Sequence, residues 1–242
     1  MKKLLALLLA IGLALPGFSL AEESPFSTKD VTEAQAEGAT EIALANETVV
    51  IDAPGVYAVS GTIANGSLRV VLEKEGDVYL LLNGVTVHND GGAALYTENC
   101  DKVVLTLAAG TVNAFSQGPS ESENEDAAIY SKDDLTINGT GALAVAGEYK
   151  DGVNCRDTLK IVSGDVSVTA ADDGLVGKDA VIVGGGTLTV LSTHDCLKAT
   201  NTEDAQRGYV TLCGGQITLT STGDGETVAT ALPDMPADGS AP

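Results

Sequence analysis

The second half of the chain carries aspartates at a regular spacing. Asp151, Asp173 and Asp195 follow one another at intervals of 22 residues, each at the same place in a repeated pattern. If the repeats stack at the strand spacing of about 4.8 Å, neighbouring carboxylates repel by roughly 3 kcal/mol at an effective dielectric near 20. Calcium would relieve this repulsion, because it prefers carboxylate and carbonyl oxygens supplied by flexible turns. The candidate calcium ligands in this column are Asp151, Asp173 and Asp195, together with Asp224 in the copy that follows.

A second interpretation of these aspartates stays open. Asp followed by Gly is a common turn pair, and an Asp side chain can cap nearby backbone N–H groups without any metal. Calcium is the one cofactor that the spacing favours, and turn formation is its alternative.

Basic residues form a column of their own. Lys132, Arg156 and Lys178 occupy equivalent places in successive repeats. Because residues two apart in a strand share a face, a neighbouring outward column is expected to contain Tyr130, Asn154, Val176 and Lys198. Such cations could bind the carboxylates of an acidic polysaccharide, directly or through a metal. The candidate carbohydrate-binding residues are Lys132, Arg156, Lys178 and Lys198. In the alternative interpretation, the three cations of the basic column are solvated partners of the aspartates that follow them, Asp133, Asp157 and Asp179.

The elements that position these columns follow from the repeat itself. Each 22-residue copy contains three short runs in which apolar and polar residues alternate, separated by Gly and Asp turns. Self-similarity at this period indicates a solenoid. We therefore predict an all-β fold, a right-handed parallel β-helix with about 22 residues and three short strands per coil. Five residues of one coil should point inward, directly above five of the coil before: Leu175, Val181, Val183, Leu188 and Val190 above Val153, Leu159, Ile161, Val166 and Val168.

The start of the chain predicts export. Residues 1–21 have the charged start, apolar run and small-residue cleavage site of a signal peptide. We expect a flexible lead-in over 22–46, a single β-helix domain over 47–225 and a disordered tail over 226–242. The protein should be secreted, to the extracellular space or the cell surface, without membrane insertion and as a monomer. Its four cysteines fall at packed positions, which favours free thiols over disulfides.

Charge excludes one class of partner. The chain has 34 acidic against 13 basic residues and a net charge of −21. A protein this acidic is not expected to bind nucleic acid, whose backbone attracts basic surfaces.

Several segments resemble a known family. These are NGV at 83–85, DAAIYSKDDLTINGTG at 126–141, and the repeated DG, KD and GG elements that follow. They are similar to the carbohydrate-binding domain-containing proteins of clostridia and their relatives, over roughly 49–225. The resemblance implies a β-helix like that of pectate lyases, an association with calcium, and binding of plant cell-wall polysaccharides such as polygalacturonate and cellulose. It implies five aspartates as calcium ligands: Asp151, Asp172, Asp173, Asp195 and Asp224. This chain departs from the family at Cys196, where Gly is usual.

A binding role is preferred to an enzymatic one. A β-helical lyase needs an Arg or Lys base with a lowered pKa. Arg156 and Lys178 are the well-placed candidates for this base. Each is followed by an aspartate, whose negative charge would raise the pKa and work against this role. We therefore assign no catalytic residue and predict calcium-dependent binding of an acidic polysaccharide. A calcium-dependent polysaccharide lyase is the first alternative, and an adhesin or scaffold without a glycan ligand is the second.

Overall fold

A computed structural model describes residues 24–119 and 124–230. They form one short helix, α1 (Thr28–Val31), and 21 strands. The strands are β1 (Thr40–Ala45), β2 (Val49–Ile51), β3 (Gly55–Ile63), β4 (Leu68–Val71), β5 (Asp77–Asn89), β6 (Leu95–Glu98), β7 (Lys102–Leu107), β8 (Val112–Gln117), β9 (Ala127–Ser131), β10 (Asp134–Gly139), β11 (Ala142–Gly147), β12 (Asp151–Cys155), β13 (Thr158–Ile161), β14 (Asp165–Ala170), β15 (Leu175–Gly177), β16 (Ala180–Val183), β17 (Thr187–Ser192), β18 (Leu197–Ala199), β19 (Tyr209–Leu212), β20 (Gln216–Ser221) and β21 (Val228–Ala229). Within this described part no helix has the length and apolar character that a membrane crossing requires.

The strands stack as three parallel sheets. Sheet 1 runs β2-β4-β6-β9-β12-β15-β18-β21. Sheet 2 runs β7-β10-β13-β16-β19, and sheet 3 runs β8-β11-β14-β17-β20. The long strand β5 pairs with β7 through its first half and with β8 through its second, so sheets 2 and 3 merge there. Each coil from β6 onward contributes one strand to each sheet, which confirms the predicted parallel β-helix with three strands per coil.

The predicted inward positions are confirmed. Val153, Leu175 and Leu197 lie above one another in sheet 1. In sheet 2, Leu159 pairs with Val181 and Ile161 with Val183, while in sheet 3 Val166 pairs with Leu188 and Val168 with Val190. All of these side chains are at most 1% exposed. The alternation of apolar and polar residues therefore fixed which face of each strand enters the core. The four cysteines are free thiols, and Cys100, Cys155 and Cys196 are buried as predicted. The predicted packing is wrong for Cys213, which is exposed.

The expectation of a flexible lead-in over 22–46 is wrong for its described part. Helix α1 packs on β10, and β1 pairs in parallel with β3. The side chain of Asp30 is fully buried. It accepts hydrogen bonds from Lys160 Nζ at 2.9 Å and Thr136 Oγ1 at 2.9 Å, and it pairs with Lys102. Buried polar contacts attach α1, and Leu44 of β1 joins the hydrophobic core. A search for hydrophobic patterns does not detect the polar contacts.

The C-terminal boundary also differs from the prediction. Strand β21 pairs with β18 beyond residue 225, so residues 228 and 229 belong to the solenoid and not to a disordered tail. The rest of that tail, from 231, and the predicted signal peptide lie outside the described residues.

Candidate functional site

Asp151, Asp173 and Asp195 form an aspartate ladder along the turn that precedes sheet 1. The Oδ1 atom of Asp151 accepts the backbone N–H of Asp173 at 3.2 Å, and Oδ1 of Asp173 accepts that of Asp195 at 3.0 Å. Oδ1 of Asp195 accepts the backbone N–H of Glu226 at 2.8 Å. Each carboxylate therefore ties its own coil to the next one. This is the backbone-capping role of the turn-former interpretation, extended from coil to coil.

The upper part of the ladder has a cation from the chain itself. Lys198 Nζ lies 2.7 Å from Oδ2 of Asp173 and 3.0 Å from Oδ2 of Asp195. With Oδ1 of each bonded to backbone N–H, all four carboxylate oxygens have a partner. Lys198 was predicted to bind carbohydrate, but its side chain is directed at the ladder.

The lower end of the ladder has no such cation. Among the described residues Asp151 makes no ion pair, and its Oδ2 accepts only the amide of Asn154, at 2.8 Å. Burial raises the pKa of Asp151 to about 7, and the negative charges of Asp173 and Asp172 act in the same direction. The Oδ1 atom of Asn154 is buried without a hydrogen-bond partner. Because neutral donors leave the negative charge of a carboxylate uncompensated, a cation fits better at Asp151 than between Asp173 and Asp195.

A second row beside the ladder alternates in charge. Lys150 Nζ lies 2.9 Å from Asp126 Oδ2. In the next coils His194 Nδ1 pairs with Asp172, and His194 Nε2 lies 3.3 Å from Asp224 Oδ1. The hydrogen bond to Asp172 raises the pKa of His194.

The predicted place of Asp224 in the aspartate ladder is wrong. Leu197 pairs with Val228, so Glu226 stands above Asp195, and Asp224 stands beside His194 instead. The long segment between β18 and β19 adds residues to this coil, and the Asp-Gly pair at 224–225 suggested the wrong alignment.

Lys132, Arg156 and Lys178 form a basic strip at the end of the strands of sheet 1. Their backbone N–H groups bond to the preceding coil at Thr97 (3.0 Å), Ser131 (2.8 Å) and Cys155 (2.8 Å), which places them in one column. All three side chains are exposed. Lys132 pairs with Glu98 at 2.6 Å, whereas Arg156 and Lys178 have no ion pair or side-chain hydrogen bond to any described residue.

The neighbouring aspartates do not neutralise the strip. Asp179 pairs with Arg207 and accepts a hydrogen bond from Asn201, while burial and the nearby Asp179 raise the pKa of Asp157 to about 6. These carboxylates line a separate recess of about 410 Å³ on the side of sheet 2. The interpretation of Arg156 and Lys178 as ion-pair partners of the following aspartates is therefore not supported by the geometry.

A stack of aromatic rings extends the same surface. Tyr96 and Tyr130 are neighbours in the outward column of sheet 1, with ring centroids 6.0 Å apart and planes 7° from parallel. The guanidinium of Arg69 lies 4.0 Å from the Tyr96 ring centre. This stack was not predicted, although the aligned segments Ala94-Leu95-Tyr96 and Ala128-Ile129-Tyr130 indicate it.

The stack and the basic strip meet at one recess. Its volume is about 440 Å³, and it is lined by Asn124, Asp126, Tyr130, Lys132 and Arg156. The predicted outward column from Tyr130 to Lys198 is confirmed by the strand register. The structure thus brings Lys132 and Arg156 together beside an aromatic ring and leaves Lys198 outside this group.

The fold and this surface define a class of protein. A parallel β-helix with an extended, shallow and partly cationic face suits long ligands that lie along the solenoid. The chain belongs to the family of carbohydrate-binding domain-containing proteins, whose family model matches residues 45–235.

Known proteins of this kind support the assignment. A carbohydrate-binding domain-containing protein of Acetivibrio thermocellus is 32% identical over 201 residues, which are 81% of this chain and 70% of the relative. A solved structure, described as the polysaccharide lyase-like protein from C. thermocellum in a gadolinium derivative, matches with a TM-score of 0.70 and 30% identity. The match covers 77% of this chain and 86% of that one.

Proposed function

We propose that this protein is a secreted, non-catalytic binder of acidic plant cell-wall polysaccharide, of which polygalacturonate is the model. The observation that carries the proposal is the pair Arg156 and Lys178. They are exposed neighbours on adjacent coils and have no partner among the described residues, in a chain whose net charge is −21. In so acidic a protein, most cations have an acidic partner close by. Two adjacent cations without one are suited to carboxylates that come from a ligand.

The chemistry of the strip matches a uronate chain. A guanidinium can hold a carboxylate through two parallel hydrogen bonds, and an ammonium adds a point charge. Successive coils repeat at about 4.8 Å, so a chain running along the solenoid would meet one cation per coil. Tyr130 adds an amphipathic ring at the side of the recess, which can contact the apolar face of a sugar.

Calcium is proposed as a second, separate component. Asp151 would hold it, because Asp151 is buried without a cationic partner and Asn154 Oδ1 beside it has no hydrogen bond. The charge of Asp172 acts on the same carboxylate. A bound calcium ion would neutralise the lower end of the aspartate ladder and could bridge to glycan carboxylates.

A lyase activity is the second candidate function, favoured by the neighbour described as polysaccharide lyase-like. A lyase requires a base that loses its proton near neutral pH, and burial is the usual way to achieve this for a cationic side chain. The exposure of Arg156 and Lys178 places this candidate behind simple binding.

Retention on immobilised polygalacturonate tests the proposal. Arg156→Ala combined with Lys178→Ala should weaken binding roughly 30-fold, at about 1 kcal/mol for each exposed charge contact. Lys74→Ala is the matched control. Lys74 is an exposed cation that lies outside the basic strip and forms no ion pair with any described residue. Full methyl esterification of the polymer should have the same effect as the double variant.

Two results would contradict the proposal. One is equal retention of the double variant and the Lys74 variant. The other is a steady rise in ultraviolet absorbance from unsaturated uronate that Arg156→Ala abolishes, which would identify a lyase instead.

A further inference from the structure

The three aspartates of the ladder are not compensated alike. Three residues after each aspartate, the outward column of sheet 1 holds Asn154, Val176 and Lys198 in turn. Asn154 donates one hydrogen bond to Asp151. Val176 offers no polar group to Asp173. Lys198 alone supplies a positive charge, and it contacts the ladder twice.

The ammonium of Lys198 occupies the space that a bridging metal ion would need. It lies within hydrogen-bond distance of Oδ2 of both Asp173 and Asp195, whose side chains are only 9% and 14% exposed. Their Oδ1 atoms are bonded to the backbone of the next coil. A calcium ion requires several oxygen ligands at about 2.4 Å. It could reach these oxygens only if the ammonium left, because two positive charges cannot share the position.

We propose that Lys198 is an internal counter-ion that replaces a divalent cation at the step between Asp173 and Asp195. This step therefore holds the coils together without metal. When the ammonium is removed, the same two carboxylates become a site for a divalent cation such as calcium. The inference concerns the ladder only and does not depend on glycan binding.

The variant Lys198→Met tests this directly, because methionine keeps most of the side-chain volume and removes the charge. In chelator the variant should melt roughly 5 °C below the wild type, since two nearly buried carboxylates lose their common cation. Added calcium should recover most of this loss. Titration calorimetry should count one more bound calcium per chain than in the wild type. Lys74→Met is the matched control, because Lys74 is an exposed lysine without an ion pair to any described residue, and it should change neither the melting temperature nor the calcium count.

Other outcomes would overturn the proposal. If Lys198→Met melts like the wild type in chelator, the ammonium does not hold the step. If it gains no calcium, no cation site lies beneath the ammonium.

Should Lys198→Met fail to fold, Asp195→Asn in the otherwise unchanged protein decides the question. The asparagine keeps an acceptor for the N–H of Glu226 but loses the charge. An unchanged calcium count supports a metal-free step, whereas the loss of one bound calcium would show that metal occupies it in the wild type.

Discussion

Two rows of like charge run along this solenoid, and they differ in how they are satisfied. In the aspartate ladder every carboxylate oxygen has a partner: a backbone N–H of the next coil, the amide of Asn154 or the ammonium of Lys198. In the basic strip, Arg156 and Lys178 have no partner among the described residues and are exposed. The first row contributes to stability, and the second is open to a ligand.

Whether the charges of a column have partners within the protein decides how that column should be interpreted. Spacing alone made both rows candidate binding sites, because stacked like charges repel. The repulsion in the ladder is reduced internally, since each Asp side chain also bonds to the backbone of its neighbour. A row of charges indicates a ligand where internal partners of opposite charge are missing.

The largest expected contrast is in stability. Asp173→Ala should lower the free energy of unfolding by about 3 kcal/mol, because it removes the acceptor for the N–H of Asp195 and one of the two carboxylates that hold Lys198. Arg156→Ala should change it by less than about 0.5 kcal/mol, as for other exposed sites. Urea unfolding in chelator measures both. Equal effects would remove the distinction between the two rows.

The second contrast concerns pH. The folded pKa of Asp151 is raised to about 7, so the folded state holds a proton there that the unfolded chain loses near pH 4. The stability from this group is fully present below pH 4 and is lost as pH rises through 7. Asp151→Asn removes this pH dependence of stability. The free energy of unfolding of the variant, relative to the wild type, should therefore increase by roughly 2 kcal/mol between pH 5 and pH 8.

This comparison is made in chelator and then repeated with calcium. A calcium ion bound at Asp151 would stabilise the charged form and reduce the advantage of asparagine at pH 8. A difference between the two proteins that stays constant with pH, with and without calcium, would mean that Asp151 is ionised throughout.

The smallest effect is expected in the charge-alternating row. The pKa of His194 is raised chiefly by its hydrogen bond to Asp172, so the stability from this group is present below its unfolded pKa and is lost as pH rises through the folded value. His194→Gln should melt slightly below the wild type at pH 5.5 and together with it at pH 8.5. If the variant instead melted together with the wild type at pH 5.5 and below it at pH 8.5, the protonated imidazole would gain no stability from Asp172 and Asp224.

Much of the fold could be predicted from the chain, and less of the site. The inward residues of the coil from Leu175 to Val190 were predicted individually, because alternation and a fixed repeat leave one register. The column of Lys132, Arg156 and Lys178 followed from the same alignment. Asp224 was misplaced where the repeat length changes, and at that point sequence spacing no longer measures position along the solenoid.

The partners of polar groups could not be predicted. Asp30 meets Lys102, Thr136 and Lys160 across separations of 72, 106 and 130 residues. No local pattern marks those contacts, and a polar segment poor in large apolar residues resembled a linker. The stacking of Tyr96 on Tyr130 also depends on coils that are 34 residues apart in sequence and adjacent in space.

The solenoid, its core and the order of its charged columns follow from the repeat, because backbone pairing and apolar burial act in every copy. Which charges are neutralised within the protein depends on how the coils pack. Lys198 and Lys178 fall in columns only two residues apart in the repeat, yet one bridges two aspartates and the other faces solvent. The physical reason is distance: a charge is compensated by whatever lies within a few ångströms, and in a solenoid those neighbours come from the next coil.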